Sequence, residues 1–466
     1  MSIEMIEDLF SRSLSEVAHL IISRAISTVE LVETYLNHIE EFNPSLNAVV
    51  TIAPDILERA RRSDSELERG NIIGPLHGIP LTIKDTIATR GIRTTSGSRL
   101  RAHEMPGHDA AVVSRLKRAG AIILGKTNTP EMAIPYETDN PVFGRTNNPH
   151  DSRLTPGGSS GGEAAAIAAR LSPAGIGSDL AGSICVPAHF CGIAGLKPTA
   201  GSVPMEGHLP LAEGTLSLGA CIGPMARRVA DLNLLFSVIA QKDETKSPPA
   251  EGNDLGDVRV AWYTDDGVAP VAEEVANAVR RAAIILGEAG LDIVEERPPS
   301  ISDGARLWVE LFSRAANEQI RSFYRGREQE AGPLVSSLLR SPHQANFEEK
   351  VIAAEALARA VLERERLREG LLRWMKQTPL IVAPVSATIA FPHGAARVEV
   401  NGETMSVFRS CSYSRTVNAF GLPAAVVPVA RTTNGLPIGV QVIGRPHNER
   451  DVLTAAAIIE QSAGFC

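Results

Sequence analysis

The order of apolar segments along this chain predicts an α/β fold, a β-sheet with helices on its faces. Short apolar runs such as "NAVVTI" (47–52), "GIPLTIKD" (78–85) and "AIIL" (121–124) alternate with segments of helical periodicity. After a charged, helix-like middle, the end of the chain returns to strands at "PLIVAPVS" (379–386), "LPAAVVPVA" (422–430) and "LPIGVQVIG" (436–444).

Each element has its own signal. Ser13-x-x-Glu16 and Ser27-x-x-Glu30 are capping boxes, and Val29, Val32, Leu36 and Ile39 after the second share one helix face. That helix is expected to stop before Pro44, because the residue preceding a proline is pushed out of the helical region. Between 109 and 119, Ala111, Val112, Leu116 and Ala119 fall near helical spacing, with Gly120 where a C-cap would sit and a buried strand following. An Ala-rich helix opens at Glu163. The stretch 243–257, rich in Pro, Gly and charge, reads as a surface linker. "VRVAWY" (258–263) and "LDIVEE" (291–296) read as strands around a helix over about 271–289. Segments near 304–330 and 347–376 read as amphipathic helices of a mainly helical layer, and a last helix lies near 449–461.

Length and charge narrow the function classes. A chain of 466 residues, 44% hydrophobic and 21% charged, buries a large core, as two or three domains or as one large α/β domain. A net charge of -8 without basic runs argues against nucleic acid or an anionic membrane as the main partner. No apolar run approaches the roughly 20 residues of a membrane helix. The start, "MSIEMIEDLF", lacks the basic and apolar regions of a secretory signal. Five cysteines, odd in number and without a C-x-x-C pair, suit a reduced cytoplasmic setting. Eleven histidines without H-E-x-x-H or metal-ligand spacing lead us to expect no metal.

Two motifs invite a function they do not support well. "GAIILGKT" (120–127) fits the phosphate-loop pattern, but such a loop follows a strand and opens a helix, and here the order is reversed. Gly157-Gly158-Ser159-Ser160-Gly161 fits G-x-S-x-G, which keeps a Ser-His-Asp hydrolase as an alternative, although "NNPHDSRLTP" before it is polar rather than strand-like. Ser160-x-x-Glu163 also reads as a plain capping box. A second small-residue cluster, Asp179-Leu180-Ala181-Gly182-Ser183, lets several backbone N–H groups converge beside a serine, which a developing oxyanion requires. The serine needs a base. His189 lies six residues on, and a lone histidine is more often structural. Lysine serves if burial lowers its pKa, and Lys84 ends an apolar strand; a solvated surface lysine is the alternative reading.

"GIPLTIKD", "PGGSSGGEAAAIAA" (156–169), "GSDLAGSICVPAHFCGIAGLKPT" (177–199) and "GLPIGVQVIGRP" (435–446), in this order, resemble the amidase signature family of serine hydrolases with a Ser-cisSer-Lys triad. The resemblance runs over nearly the whole chain. It implies an α/β/α fold, a large mixed β-sheet core covered by helices on both faces. It also implies a single domain over 1–466: N-terminal helices about 1–45, a core about 46–245 completed by 376–466, and the helical layer about 246–375.

The site residues follow from the same resemblance. Ser183 would be the nucleophile, Ser159, preceded by a cis peptide, the proton relay, and Lys84 the base. The N–H groups of Leu180, Ala181, Gly182 and Ser183 would form the oxyanion hole, with Ser160 and Asp179 supporting the triad. Ile134 and Tyr136, in the loop 131–138, would line an acyl pocket or else pack as ordinary core residues, and an acidic side chain at Glu131 or Glu137 would disfavour anionic substrates. No metal or organic cofactor is implied. The chain departs from the family pattern twice: Ala181 replaces a glycine, and Cys185 replaces an arginine that would pair with Asp179, which leaves Asp179 to accept backbone N–H groups or to sit in a rebuilt site.

The activity expected first is hydrolysis of small carboxamides or N-acyl amines, with a small-molecule amide as partner, no nucleic acid and no membrane, and a homodimer left open. The alternatives are the glutamine-hydrolysing subunit of an amidotransferase, working with partner subunits on charged tRNA, and a catalytically impaired member motivated by Ala181 and Cys185.

Overall fold

The computed structural model describes residues 9–241, 255–256, 258–340 and 347–465, the backbone alone at 347–352. Apart from 255 and 256, the expected linker lies outside these residues. The strands are β1 (Val49–Ile52), β2 (Pro80–Lys84), β3 (Ile122–Thr127), β4 (Ala174–Asp179), β5 (Ala194–Lys197), β6 (Cys221–Ala226), β7 (Arg259–Trp262), β8 (Asp292–Glu295), β9 (Leu380–Pro384), β10 (Arg397–Val400), β11 (Glu403–Ser406), β12 (Ala424–Arg431) and β13 (Pro437–Gly444). Among the described residues, eleven of them form one sheet in the order β1-β3-β2-β4-β6-β5-β12-β13-β9-β7-β8, and β10 and β11 pair separately. The sheet is mixed: β2 runs parallel to β3 and β4, β4 is antiparallel to β6, and β12 is antiparallel to β13.

Both faces of the sheet are covered, and the strand period shows it. Along β9, Leu380 and Val382 join one buried apolar cluster while Ile381 and Ala383 join another; along β12, Ala425 and Val427 alternate in the same way with Ala424 and Val426. The first cluster takes in helices Thr28–Leu46, Glu273–Glu288 and Glu449–Ala463, and the second takes in Cys185–Cys191, Ile301–Trp308 and Ser412–Phe420. Side chains such as Val440 and Val442 are wholly buried, each worth about 1.5–3 kcal/mol relative to exposure. Within 246–375, β7 and β8 extend the sheet at one edge, so this stretch supplies strands as well as helices. Among the described residues no helix is long and apolar enough to cross a membrane.

Both N-terminal capping boxes form, with Ser13 and Ser27 each accepting from the third helical N–H. The second helix does not stop before Pro44 but runs to Leu46. A proline in the last turn removes only one bond of a helix that is already ending. Asn47 then closes the helix in the left-handed region (φ 53°), and the Asn43 side chain accepts from the N–H groups of Ala48 and Val49, leading the chain into β1.

The phosphate-loop look-alike is a helix C-terminus and a strand. Helix Ala111–Arg118 ends before Gly120 (φ 93°), where a Cβ would come within 2.7 Å of His77 Cα. Lys126 lies inside β3, fully buried, and its ammonium bonds the Ile87 carbonyl and the hydroxyls of Thr89 (3.2 Å) and Thr94 (3.3 Å).

Candidate active site

The parallel neighbours β2 and β4, third and fourth in the order of the eleven-stranded sheet, end side by side. Their C-terminal ends deliver Lys84, Ser178 and Asp179, the place where open α/β sheets put ligands. In β2, Leu81 and Ile83 point into the first apolar cluster, so the strand period turns Thr82 and Lys84 the other way.

Lys84 is fully buried, with Nζ 2.7 Å from Ser159 Oγ and 3.0 Å from Ser178 Oγ. Burial pushes its pKa down to about 7, opposed by the nearby Asp179 and Glu163. Ser159 sits in the turn before helix Gly161–Ala168, and the Gly158–Ser159 peptide is cis. Gly158 is forced by packing: a Cβ there would lie 2.5 Å from the Pro135 carbonyl oxygen. Ser160 ties the turn to its surroundings, its N–H donating to the Ser183 carbonyl (3.1 Å) and its hydroxyl to the Ser178 carbonyl (3.2 Å). The capping-box reading of Ser160 and Glu163 fails, because Glu163 is buried and accepts from Thr82 and Thr127 instead.

Ser183 precedes helix Cys185–Cys191 and shares with Ser159 the wall of a cavity of about 290 Å³. Asp179, lacking an arginine, has its carboxylate filled by backbone: it accepts from the N–H groups of Gly182 (2.7 Å), Ile184 (2.6 Å) and Cys185 (3.3 Å). Gly182 therefore departs from expectation, since its N–H is held by Asp179; the amides of Leu180, Ala181 and Ser183 are the remaining candidates for an oxyanion. Ala181 is not among the described residues with positive φ, whereas Gly182 is (φ 98°), so only the second position demands glycine. Two donors orient this loop from outside: Trp308 Nε1–H donates to the Leu180 carbonyl and Tyr136 O–H to the Ala181 carbonyl, each at 2.6 Å.

The cavity walls are largely apolar, built from Met132, Ile134, Tyr136, Leu216, Trp308 and Phe408 among others. The two acidic side chains expected near the pocket are engaged elsewhere. Glu131 accepts from Tyr324 O–H (2.7 Å) and the Gly332 N–H, and Glu137 pairs with His393 (2.6 Å) and the Gly394 N–H. A Ser-His-Asp arrangement does not form around His189: its Nδ1 accepts from the Gly439 N–H and its Nε2 contacts the Thr388 carbonyl. Cys185 is buried, and burial raises its thiol pKa well above the usual range, which leaves it unreactive. Among the described residues no group of three His, Cys, Asp or Glu side chains is placed to hold a metal. Sequence reasoning passed over Ser178, His208 and Trp308. His208, whose Nε2 lies 2.9 Å from Ser178 Oγ, arrives on a loop between β5 and β6 that no motif marks.

Comparison with known proteins gives the family and the fold. The family model described as Amidase matches residues 30–453. A glutamyl-tRNA(Gln) amidotransferase subunit from Heliobacterium modesticaldum is 31% identical, over 98% of this chain and 98% of that one. The solved structure of 6-aminohexanoate cyclic dimer hydrolase complexed with substrate superposes with a TM-score of 0.84 at 29% identity, covering 98% of each chain. The native peptide amidase from Stenotrophomonas maltophilia gives 0.79 at 26% identity, covering 97% of each.

The relative's name overturns one expectation and reorders another. A relative named as one component of a glutamyl-tRNA(Gln) amidotransferase contradicts a small-molecule amide partner with no nucleic acid. The error was physical: a net charge of -8 is a sum over the whole chain and carries no information about any one surface or about further subunits. The same name favours the amidotransferase alternative over the stand-alone amidase. With a family match over residues 30–453, a shared fold and coverage of 98% of the Heliobacterium relative, the chain belongs to the amidase signature family and is an amide hydrolase.

Proposed function

We propose that this chain cleaves an amide C–N bond through a seryl acyl-enzyme, with Ser183 as nucleophile, Ser159 as relay and Lys84 as base. The observation that carries this reading is a buried amine, its pKa brought down to about 7, at 2.7 Å from the Ser159 hydroxyl. Neutral Lys84 takes the proton of Ser159 as Ser159 takes that of Ser183, whose oxygen attacks the carbonyl carbon. The amides of Leu180, Ala181 and Ser183 stabilise the oxyanion, and the proton returns by the same path to the leaving nitrogen. Water then releases the acyl group by the reverse relay. Backbone filling of Asp179 and a φ accessible to alanine at 181 support an active site rather than an impaired one. A fluorophosphonate probe is expected to label Ser183; an adduct on Ser160, or none on folded protein, would overturn the assignment.

Two substrate readings share this chemistry. The names of the relatives favour glutamine hydrolysis within an amidotransferase, with partner subunits and charged tRNA. The apolar walls of the cavity favour an amide whose acyl group is apolar. Ammonia release from glutamine, with and without partner subunits, measured against a panel of aliphatic and aromatic amides, separates the two. A cytoplasmic setting stays part of the proposal, resting on the odd cysteine count without C-x-x-C.

A further inference from the structure

A neutral lysine amine has one lone pair, and at Lys84 two serine hydroxyls stand ready to take it: Ser159 at 2.7 Å and Ser178 at 3.0 Å. Only the first contact is useful to a base, because a proton from Ser178 would leave the lone pair occupied and Ser159 without an acceptor. Something must decide between the two hydroxyls. The deciding group is within reach of Ser178. His208 is buried, with Nε2 2.9 Å from Ser178 Oγ and Nδ1 2.7 Å from the Pro210 carbonyl oxygen. A carbonyl only accepts, so Nδ1 carries the hydrogen. In a neutral ring Nε2 is then the acceptor, and Ser178 must donate to it. Burial, reinforced by the Lys84 charge, lowers the His208 pKa to about 4, in keeping with a neutral ring.

We propose that His208 is a positioning residue for the base: by accepting the Ser178 hydroxyl proton it makes Ser178 an acceptor toward Lys84 Nζ and reserves the amine's lone pair for Ser159. The backbone holds the ring in place for this. Residues 207–209 are zipped to the segment that follows Lys84, with Leu209 N–H donating to the Thr86 carbonyl and Ala88 N–H to the Gly207 carbonyl, both at 2.8 Å, and with an antiparallel bridge between Ile87 and His208. The histidine and the lysine are thus carried on paired stretches of chain and keep a fixed separation. The other charged groups around them are Asp179 at the end of β4, Glu163 on helix Gly161–Ala168 and Lys126 on β3.

The inference rests on Lys84 being the base, and its test keeps the two apart by reading the rate at which the fluorophosphonate probe labels Ser183, which needs no natural substrate. His208→Leu frees the Ser178 hydroxyl to donate to Lys84. The maximal labelling rate is expected to fall at least about ten-fold, the probe's half-saturating concentration to change less than about three-fold, and the acid limb of the rate profile to move to lower pH, because the neutral amine gains a donor. His208→Gln, which can place an acceptor oxygen near the position of Nε2, is expected to restore most of the rate. His208→Asn, too short to reach Ser178, is expected to remain slow and serves if the leucine variant does not fold. The most discriminating variant is Ser178→Ala combined with His208→Leu. With the competing hydroxyl gone, the double variant is expected to label faster than His208→Leu alone, which no general loosening of the fold would produce. An unaffected His208→Leu, a loss confined to half-saturation, or a loss relieved by neither Gln nor Ser178→Ala overturns the inference. Undiminished labelling of Lys84→Ala overturns instead the assignment of the base.

Discussion

Lys84 Nζ and Ser159 Oγ stand 2.7 Å apart in a site where both side chains are buried. Desolvation, not charge, lowers the amine's pKa, since both Coulombic neighbours, Asp179 and Glu163, act in the opposite direction. As the proposed base, Lys84 must be neutral to act, so amide hydrolysis and probe labelling are expected to fall about ten-fold per pH unit below about pH 7, measured as kcat/KM or labelling rate against pH. Lys84→Ala is expected to remove at least about a hundred-fold of the rate while the protein still folds.

The same shift has a signed consequence for stability. The folded-state pKa, about 7, lies below the ordinary 10.5, so between these values the unfolded chain binds the proton that the folded chain does not. This residue's contribution to stability therefore improves as pH rises from 7 to 10.5, by about 1.4 kcal/mol per unit, and its full penalty applies below pH 7. Lys84→Met is expected to raise Tm at pH 7 relative to the parent and to flatten the dependence of Tm on pH across this window.

Much of the candidate site was legible because the residues proposed for its chemistry are local in sequence. A lysine ending an apolar strand, two serines in glycine turns and a carboxylate before the second turn are each read from a few adjacent letters. What was not legible depends on pairings between distant segments. His208 reaches Ser178 only because residues 207–209 pair with 86–88, and Trp308 reaches the Leu180 carbonyl from a helix on the second face of the sheet. The Pro44 boundary failed for a different reason: proline penalties count bonds lost, and near a helix end there is only one to lose. Asp179 was readable as a residue in want of a partner, with backbone N–H groups as one possible substitute; which three amides meet the need is a property of the folded loop.

Tyr136 and Trp308 give the apolar wall a second task, holding the carbonyls of Ala181 and Leu180 at 2.6 Å. Tyr136→Phe keeps the ring and removes the donor. The change is expected to cost roughly 1–3 kcal/mol of stability by leaving the Ala181 carbonyl short of a partner. It is also expected to lower kcat more than KM, because the loop amides lose their orientation; an unchanged kcat with a raised KM would assign Tyr136 to the pocket wall alone.

The two small residues before Ser183 are not equivalent. Gly182 has φ 98° and its missing Cβ would lie 2.6 Å from Ser414 Cβ, whereas Ala181 already carries a Cβ without positive φ. Gly182→Ala is expected to lower Tm and sharply reduce Ser183 labelling, and Ala181→Gly to leave both close to the parent.

Cys185 tests the view that the missing arginine has been structurally replaced. The thiol is buried with its pKa raised, so Cys185→Ser is expected to leave Ser183 labelling within about three-fold of the parent, which a nucleophilic cysteine would not allow. Cys185→Arg restores the family's usual residue and is nonetheless expected to destabilise the protein. The side chain would enter the second apolar cluster, and the Asp179 carboxylate it would seek already accepts from Gly182, Ile184 and Cys185. A Cys185→Arg protein that melts at or above the parent temperature would mean that the loop can exchange backbone donors for a guanidinium.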